Sequence, residues 1–398
     1  MQYLHVDSDR AFDQLLRRLA TAESIAFDTE FVSEDCYQPD LCLIQVATED
    51  DLAVIDPKAV SDLTPFWELL TDSTPETIVH AGREELRFIW RETGRRPKHL
   101  FDVQIAAGLI GAEYPASYGN LISRYLGVDL DKSAQRTDWR YRPLTKEQVR
   151  YALKDVEHLH QLHEKIGRRL IKLDRVTWFL EEMDRFQNAV IAVEEDGDRW
   201  RKLPGVASQS ARMQAVIREL WRMREELAEA RNRPARQVMR DDLLMEIAKQ
   251  KDPSVRGLKM VRGLERGSYQ AVLPQLGEAV RRGLELPEEE LPRPEPSSGG
   301  PQLTTLVQFL SVALAGLCRT LRVAPTLVGT QQDVRDFVRA ELNLTPPHLP
   351  APDSALSHGW RAELIGTRLA EVLRGELCLR VTDPRADDPL SLAPFGRS

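Results

Sequence analysis

Apolar positions change their period along the chain, and the changes divide it. Over 8–22, Phe12, Leu15, Leu16 and Leu19 recur three and four apart, which predicts an amphipathic helix. Asp7 or Ser8 is placed to cap it, with Asp9 and Asp13 near its positive end. Short apolar runs at 24–31, 41–47 and 52–56 follow, separated by a polar loop at 33–40 and by the turn Asp50-Asp51. Short connections between such runs predict three strands in an antiparallel meander. A helix around 67–70, a strand over 77–80 and a helix opening on Glu84 and Glu85 come next. Strands now alternate with helices, which predicts an α/β fold with a mixed sheet covered on both faces.

Asp102 is placed to cap a segment that starts at 100–104, and Gly127 closes a short helix from Leu121. Thr145 and Gln148 have the spacing of a capping box. The helix they open carries Tyr151 and Asp155 one turn apart on one face, and Val149, Ala152, Val156 and Leu159 on another. Residues 160–200 are helical by the spacing of Trp178, Phe179, Met183, Phe186 and Val190, and are expected to pack on the first half. Pro204-Gly205 breaks the pattern, and 208–286 reads as several short helices. The stretch 287–301, rich in Pro and Glu and ending Ser-Ser-Gly-Gly-Pro, predicts a linker. Helices at 303–321, 331–342 and 360–373 and a short strand at 378–381 follow. The expected division is 1–200, 208–286, a linker over 287–301, a helical unit over 302–383 and a loosely held tail over 384–398.

Composition adds limits. At 398 residues the chain exceeds one ordinary core, and 42% hydrophobic with 29% charged residues suits a soluble globular protein. No run of about 18 apolar residues is present, so no membrane span is expected. The N-terminus lacks a basic region followed by an apolar core, so no signal peptide and a cytoplasmic location are expected. Cys36, Cys42, Cys318 and Cys378 lack Cys-x-x-Cys spacing, which favours reduced thiols over zinc ligands or disulfides. A net charge of −8 argues against non-specific nucleic-acid binding through global charge and leaves room for a local basic groove. A monomer is the expected form.

The candidate chemistry lies in three places. Asp28 and Glu30 are two apart on a strand, so their carboxylates project side by side while Phe27, Thr29 and Phe31 face the other way. Paired carboxylates repel, and a divalent cation with a preference for hard oxygen ligands removes the conflict. A strand running out into solvent with two surface acids has the same pattern. Glu84 and Glu85 follow the small residues Ala81 and Gly82 where a strand ends. Either they complement the helix N-terminus, or one of them joins Asp28 and Glu30. Asp155 needs a partner on a half-buried face, and Tyr151 can hold a water beside it. The loop 131–142 interleaves Lys132, Arg136, Arg140 and Arg142 with Trp139 and Tyr141, which suits phosphates and stacked bases or else a solvated loop.

These motifs together resemble the tyrosine subgroup of the four-acid 3′–5′ exonucleases: Asp28-x-Glu30, an acid five residues after His80, and Tyr151-x-x-x-Asp155. The loop Asp131-Lys132…Arg136-Thr137-Asp138-Trp139-Arg140…Pro143-Leu144 narrows the resemblance to the ribonuclease D family. Residues 208–286 resemble the HRDC domain that follows the nuclease there, and 302–380 a second, degenerate one. The resemblance implies an RNase H-like exonuclease domain followed by all-α HRDC-like domains. It implies release of 5′-mononucleotides from RNA 3′ ends by two Mg2+ or Mn2+ ions, on tRNA precursors and other RNAs with single-stranded 3′ ends. Asp28 would bridge both ions, Glu30 and Asp155 would complete one site and Glu85 would support the other. Tyr151 would orient or deprotonate the water. Lys132, Arg136, Trp139, Arg140 and His80 would contact substrate. One position departs: the family's His-Ala-Gly-x-Glu-Asp-Leu is here His80-Ala81-Gly82-Arg83-Glu84-Glu85-Leu86. Glu85 keeps the charge and adds a methylene, so a weakened nuclease that mainly binds RNA is the first alternative. A DNA 3′–5′ exonuclease is the second.

Overall fold

The computed structural model describes residues 2–72, 74–129, 138–264, 267–293, 300–345, 352–386 and 388–396. Three strands, β2 (Ser24–Val32), β3 (Asp40–Ala47) and β4 (Leu52–Ile55), form the antiparallel meander that the alternation predicts. β1 (Leu4–Val6) lies parallel to β4, β5 (Glu76–Val79) parallel to β2 and β6 (Leu100–Asp102) parallel to β5, in the order β1-β4-β3-β2-β5-β6. β1 carries no sequence signal of its own. With three residues it is shorter than any period can show.

The helices of this half are α1 (Asp9–Leu19), α2 (Thr64–Thr71), α3 (Arg83–Thr93), α4 (Val103–Leu109), α5 (Tyr118–Leu126), α6 (Lys146–Glu157), α7 (Leu159–Lys172) and α8 (Val176–Glu195). Ser8 occupies the cap position of α1 without a side-chain bond, and Asp9 instead accepts from the Ser61 N–H at 2.8 Å. The capping box at Thr145 and Gln148 forms as predicted, and Gly127 ends α5 with φ 72°. The two faces of β2 meet different helices. Phe27 packs edge-on against Phe66 of α2 at 6.0 Å, and Phe31 against Phe88 of α3 at 5.8 Å. On the other face Val149, Ala152 and Leu153 of α6 pack with Val32, Leu43 and Val54. That second face is the one from which Asp28 and Glu30 project.

Residues 200–284 bury an apolar core of their own around Trp200, Ile217, Leu220, Leu244, Ile247, Leu276 and Val280. Its longest helix is α9 (Ala211–Ala230), capped by Ser210. This helical unit sits against the β2–β3 loop: the Tyr37 N–H donates to Asn232 at 3.1 Å, the Tyr37 hydroxyl bonds Glu225 at 3.3 Å, and Gln237 donates to the Glu34 carbonyl at 2.9 Å.

The C-terminal helices are bound differently. Leu310, Leu314, Leu327, Val328, Phe337 and Leu369 share one continuous core with the N-terminal half. The Ala324 N–H donates to the Gly108 carbonyl at 2.9 Å, and Trp178 of α8 stacks on Trp360 with centroids 4.6 Å apart. The helix Pro301–Leu321 is long and apolar enough to cross a membrane by length and composition, contrary to the expectation from the sequence. Here it lays Leu303, Val307, Leu310, Ala313 and Leu314 into that shared core. The tail also departs from expectation, because β8 (Leu390–Pro394) pairs antiparallel with β7 (Leu377–Val381). The four cysteines are free thiols.

Candidate active site

Four acids reach one place from three elements. Asp28 and Glu30 come from β2, Glu85 from the first turn of α3 and Asp155 from α6. The β5–α3 turn that aims Glu85 is held by Asp102. Its carboxylate accepts the Ala81 and Gly82 N–H groups at 3.1 and 3.0 Å while capping α4 through Gln104 and Ile105. Ala81 is left-handed at φ 55°, and a Cβ on Gly82 would come within 2.3 Å of Val79. The tight turn therefore requires glycine at 82, while Ala81 carries the strain of a left-handed non-glycine residue. The choice between the two glutamates is settled by burial and partners. Glu84 pairs with Arg87 at 2.8 Å, whereas Glu85 is buried and accepts from the Thr29 hydroxyl at 2.6 Å.

Burial and mutual repulsion hold these acids toward their neutral forms. Asp28 is pushed well above the usual carboxylate range, first by burial, then by Glu85, Asp155 and Glu30. Glu30 is pushed up to about 8 by burial, Asp155 and Glu85. Burial raises Glu85 to about 7 against the Thr29 bond, and raises Asp155 to about 6 against Lys154. Tyr151 looks into the same group: burial, then Asp155, Glu30 and Asp28, move its phenol up to about 12. It therefore remains a hydrogen-bond donor at neutral pH.

The donor set suits a divalent cation in type and charge, because clustered carboxylates without a counterion cannot all ionise. Among the described residues no three His, Cys, Asp or Glu side chains form a ready-made metal shell, and Thr29 occupies one Glu85 oxygen.

The expected substrate contacts fare differently. Lys132 and Arg136 lie outside the described residues. Trp139 is only 7% exposed, packed with Val149 and Leu153 and tilted against Tyr151 at 6.3 Å, so it supports the tyrosine instead of offering a face to a base. Arg140 is taken up by Asp40 at 3.0 Å and by Asp35, and it fastens the β2–β3 loop. Arg142 holds Asp56 and the Cys42 carbonyl. The His80 ring pairs with the Ala116 carbonyl at 2.9 Å and lies against Tyr118. Tyr141, 73% exposed, is the open aromatic of this loop. Sequence reasoning missed Thr29, Asp102 as the holder of the turn, and Tyr118. The Tyr118 hydroxyl accepts the His158 N–H at 3.3 Å, and its ionisation is opposed by burial and by Asp155 and Asp28. Only the position of Thr29 between two acids hinted at any of them.

Mixed sheet, acid cluster and tyrosine together define a 3′–5′ exonuclease fold: the family model for 3′–5′ exonucleases matches residues 3–171, and that for HRDC domains matches 213–280. Ribonuclease D of Sphingobium indicum is 33% identical over 96% of this chain and 97% of its own length. That of Jannaschia sp. is 33% identical over 91% and 93%. Escherichia coli RNase D, an exoribonuclease involved in structured RNA processing, superposes with a TM-score of 0.82 at 27% identity, over 94% of this chain and 99% of that one. The chain belongs to the ribonuclease D family and is a 3′–5′ exoribonuclease.

Proposed function

We propose that this exoribonuclease uses two divalent cations, Mg2+ or Mn2+, to release 5′-mononucleotides from single-stranded 3′ ends, and that it matures tRNA precursors and other stable RNAs. The observation that carries the reading is the set of four acids, each held toward its neutral form by burial and three of them also by neighbouring acids. Asp28, Glu30, Glu85 and Asp155 would hold the cations. Bound there, the cations would lower the pKa of a water and offset charge on the phosphodiester. Water adds at phosphorus and the bond to the 3′ oxygen breaks, so the shortened RNA keeps a 3′-hydroxyl and the product a 5′-phosphate. Tyr151, whose phenol is raised first by burial and then by its acidic neighbours, would donate to the attacking water or a phosphate oxygen and orient it. Phosphate and sugar are the groups addressed, so sequence preference is weak.

The test is incubation of the full-length protein with a 3′-extended tRNA transcript and Mg2+ or Mn2+, beside Asp28→Asn. Metal-dependent stepwise shortening from the 3′ end, absent in the variant, with 5′-mononucleotides as product, is the expected result. Intact RNA binding with no shortening in either metal would establish the weakened nuclease, and Glu85→Asp would then show whether the extra methylene is the cause. Faster shortening of a DNA strand would favour the DNA exonuclease.

A further inference from the structure

Gln45 stands on β3 directly opposite Asp28 on β2. Residues opposite each other in an antiparallel pair project from the same face, with Cβ atoms about 4.5–5.5 Å apart. Gln45 is fully buried, and among the described residues neither its amide oxygen nor its amide nitrogen has a hydrogen-bond partner. Apart from Asp28, its near neighbours along the sheet and on α6 are apolar. The residue opposite it on β4 is Val54, the next residue along β3 on this side is Leu43, and α6 covers the face with Val149, Ala152 and Leu153.

A buried amide with both ends unsatisfied is destabilising, and an apolar side chain of the same size would fill the space without that penalty. The amide makes sense if its partner forms with the working site. Ligating carboxylates are themselves hydrogen-bonded by an outer layer of residues that fixes their orientation. Glu85 has such a support in Thr29. For Asp28 the backbone N–H of Thr29 is one donor, and Gln45 is the side-chain amide facing it across the strands.

We propose that Gln45 is a positioning residue for Asp28: its amide N–H donates to the Asp28 carboxylate when a divalent cation is bound, and so selects the oxygen presented to that cation. The inference rests on the metal-dependent reading above. Gln45 does not touch the reacting atoms.

Mn2+ binding to the full-length protein, measured by titration calorimetry, tests it, together with melting temperatures taken with and without Mn2+. Gln45→Leu should fold, and its metal-free melting temperature should equal or exceed that of the wild type, because a buried unsatisfied amide is gone. Its Mn2+ affinity should nevertheless fall by about 10- to 100-fold. On RNA, kcat should drop while KM holds. If Gln45→Leu does not fold, Gln45→Met, which keeps the unbranched shape, takes its place. Wild-type Mn2+ affinity in the variant would overturn the proposal and leave Gln45 a packing residue. A wild-type protein that binds no Mn2+, or an Asp28→Asn protein that binds it as tightly, would overturn the metal reading itself, and the proposal with it.

Discussion

Thr29 carries the accommodation of Glu85. Its hydroxyl donates at 2.6 Å to a carboxyl that the helix N-terminus delivers into a buried site. Thr29→Val keeps the shape and leaves that oxygen without a donor, which should cost ~1–3 kcal/mol in urea unfolding. The raised acids also set a pH dependence with a definite sign. Glu30 titrates near 8 in the folded chain and near 4.5 when unfolded, so between those values the folded state binds more protons. Its contribution to stability is complete below about 4.5 and is lost as pH rises through about 8. Glu30→Gln mimics the protonated form. In EDTA its melting temperature should match that of wild type near pH 4 and exceed it increasingly up to pH 9. Equal melting temperatures at both ends would show that Glu30 is not buried among like charges. Cations compete with the same protons, so the rise in melting temperature caused by Mn2+ should be larger at pH 8 than at pH 6.

At the level of elements, the turn between β5 and α3 depends on a residue more than 15 positions away in sequence. Asp102 holds two N–H groups of that turn and caps α4 at once. Asp102→Ala should cost at least the ~1–2 kcal/mol of a lost cap. It should also slow trimming, because Glu85 moves with its turn although every acid is still present. Unfolding and single-turnover RNA cleavage, measured on the same protein, check both. The capping box of α6 and the Gly127 stop were legible because each is local, involving residues three or four apart. The fate of Arg140 was not. It bonds Asp40 and Asp35, about 100 residues earlier, and no spacing rule links a loop arginine to a distant loop.

For the whole molecule, the C-terminal helices form part of the nuclease core. Arg361, itself buried, pairs with Glu182 of α8 at 2.7 Å and donates to the Leu327 and Val328 carbonyls. Arg361→Leu leaves the buried Glu182 with only the Trp360 indole N–H at 3.2 Å and the outlying Arg185 at 4.0 Å, and should cost ~3–5 kcal/mol. The double replacement with Glu182→Leu should recover part of it, which a double-mutant cycle in urea would show. Absence of recovery would mean that the backbone contacts of Arg361 carry the effect. By contrast, the 200–284 unit has a core of its own and meets the nuclease through polar contacts to the β2–β3 loop.

What this chain settled through sequence alone were properties that depend on near neighbours: the meander, the helix stops, the face shared by Asp28 and Glu30, and the tight turn at Ala81-Gly82 into α3. Period and spacing are local, and a short stretch of chain contains them in full. Only the tertiary structure decided which glutamate turns inward, that Trp139 and Arg140 serve the scaffold, and that Gln45 is buried in register opposite Asp28. Those outcomes depend on which distant side chains share a buried space, where desolvation and packing act across the whole fold.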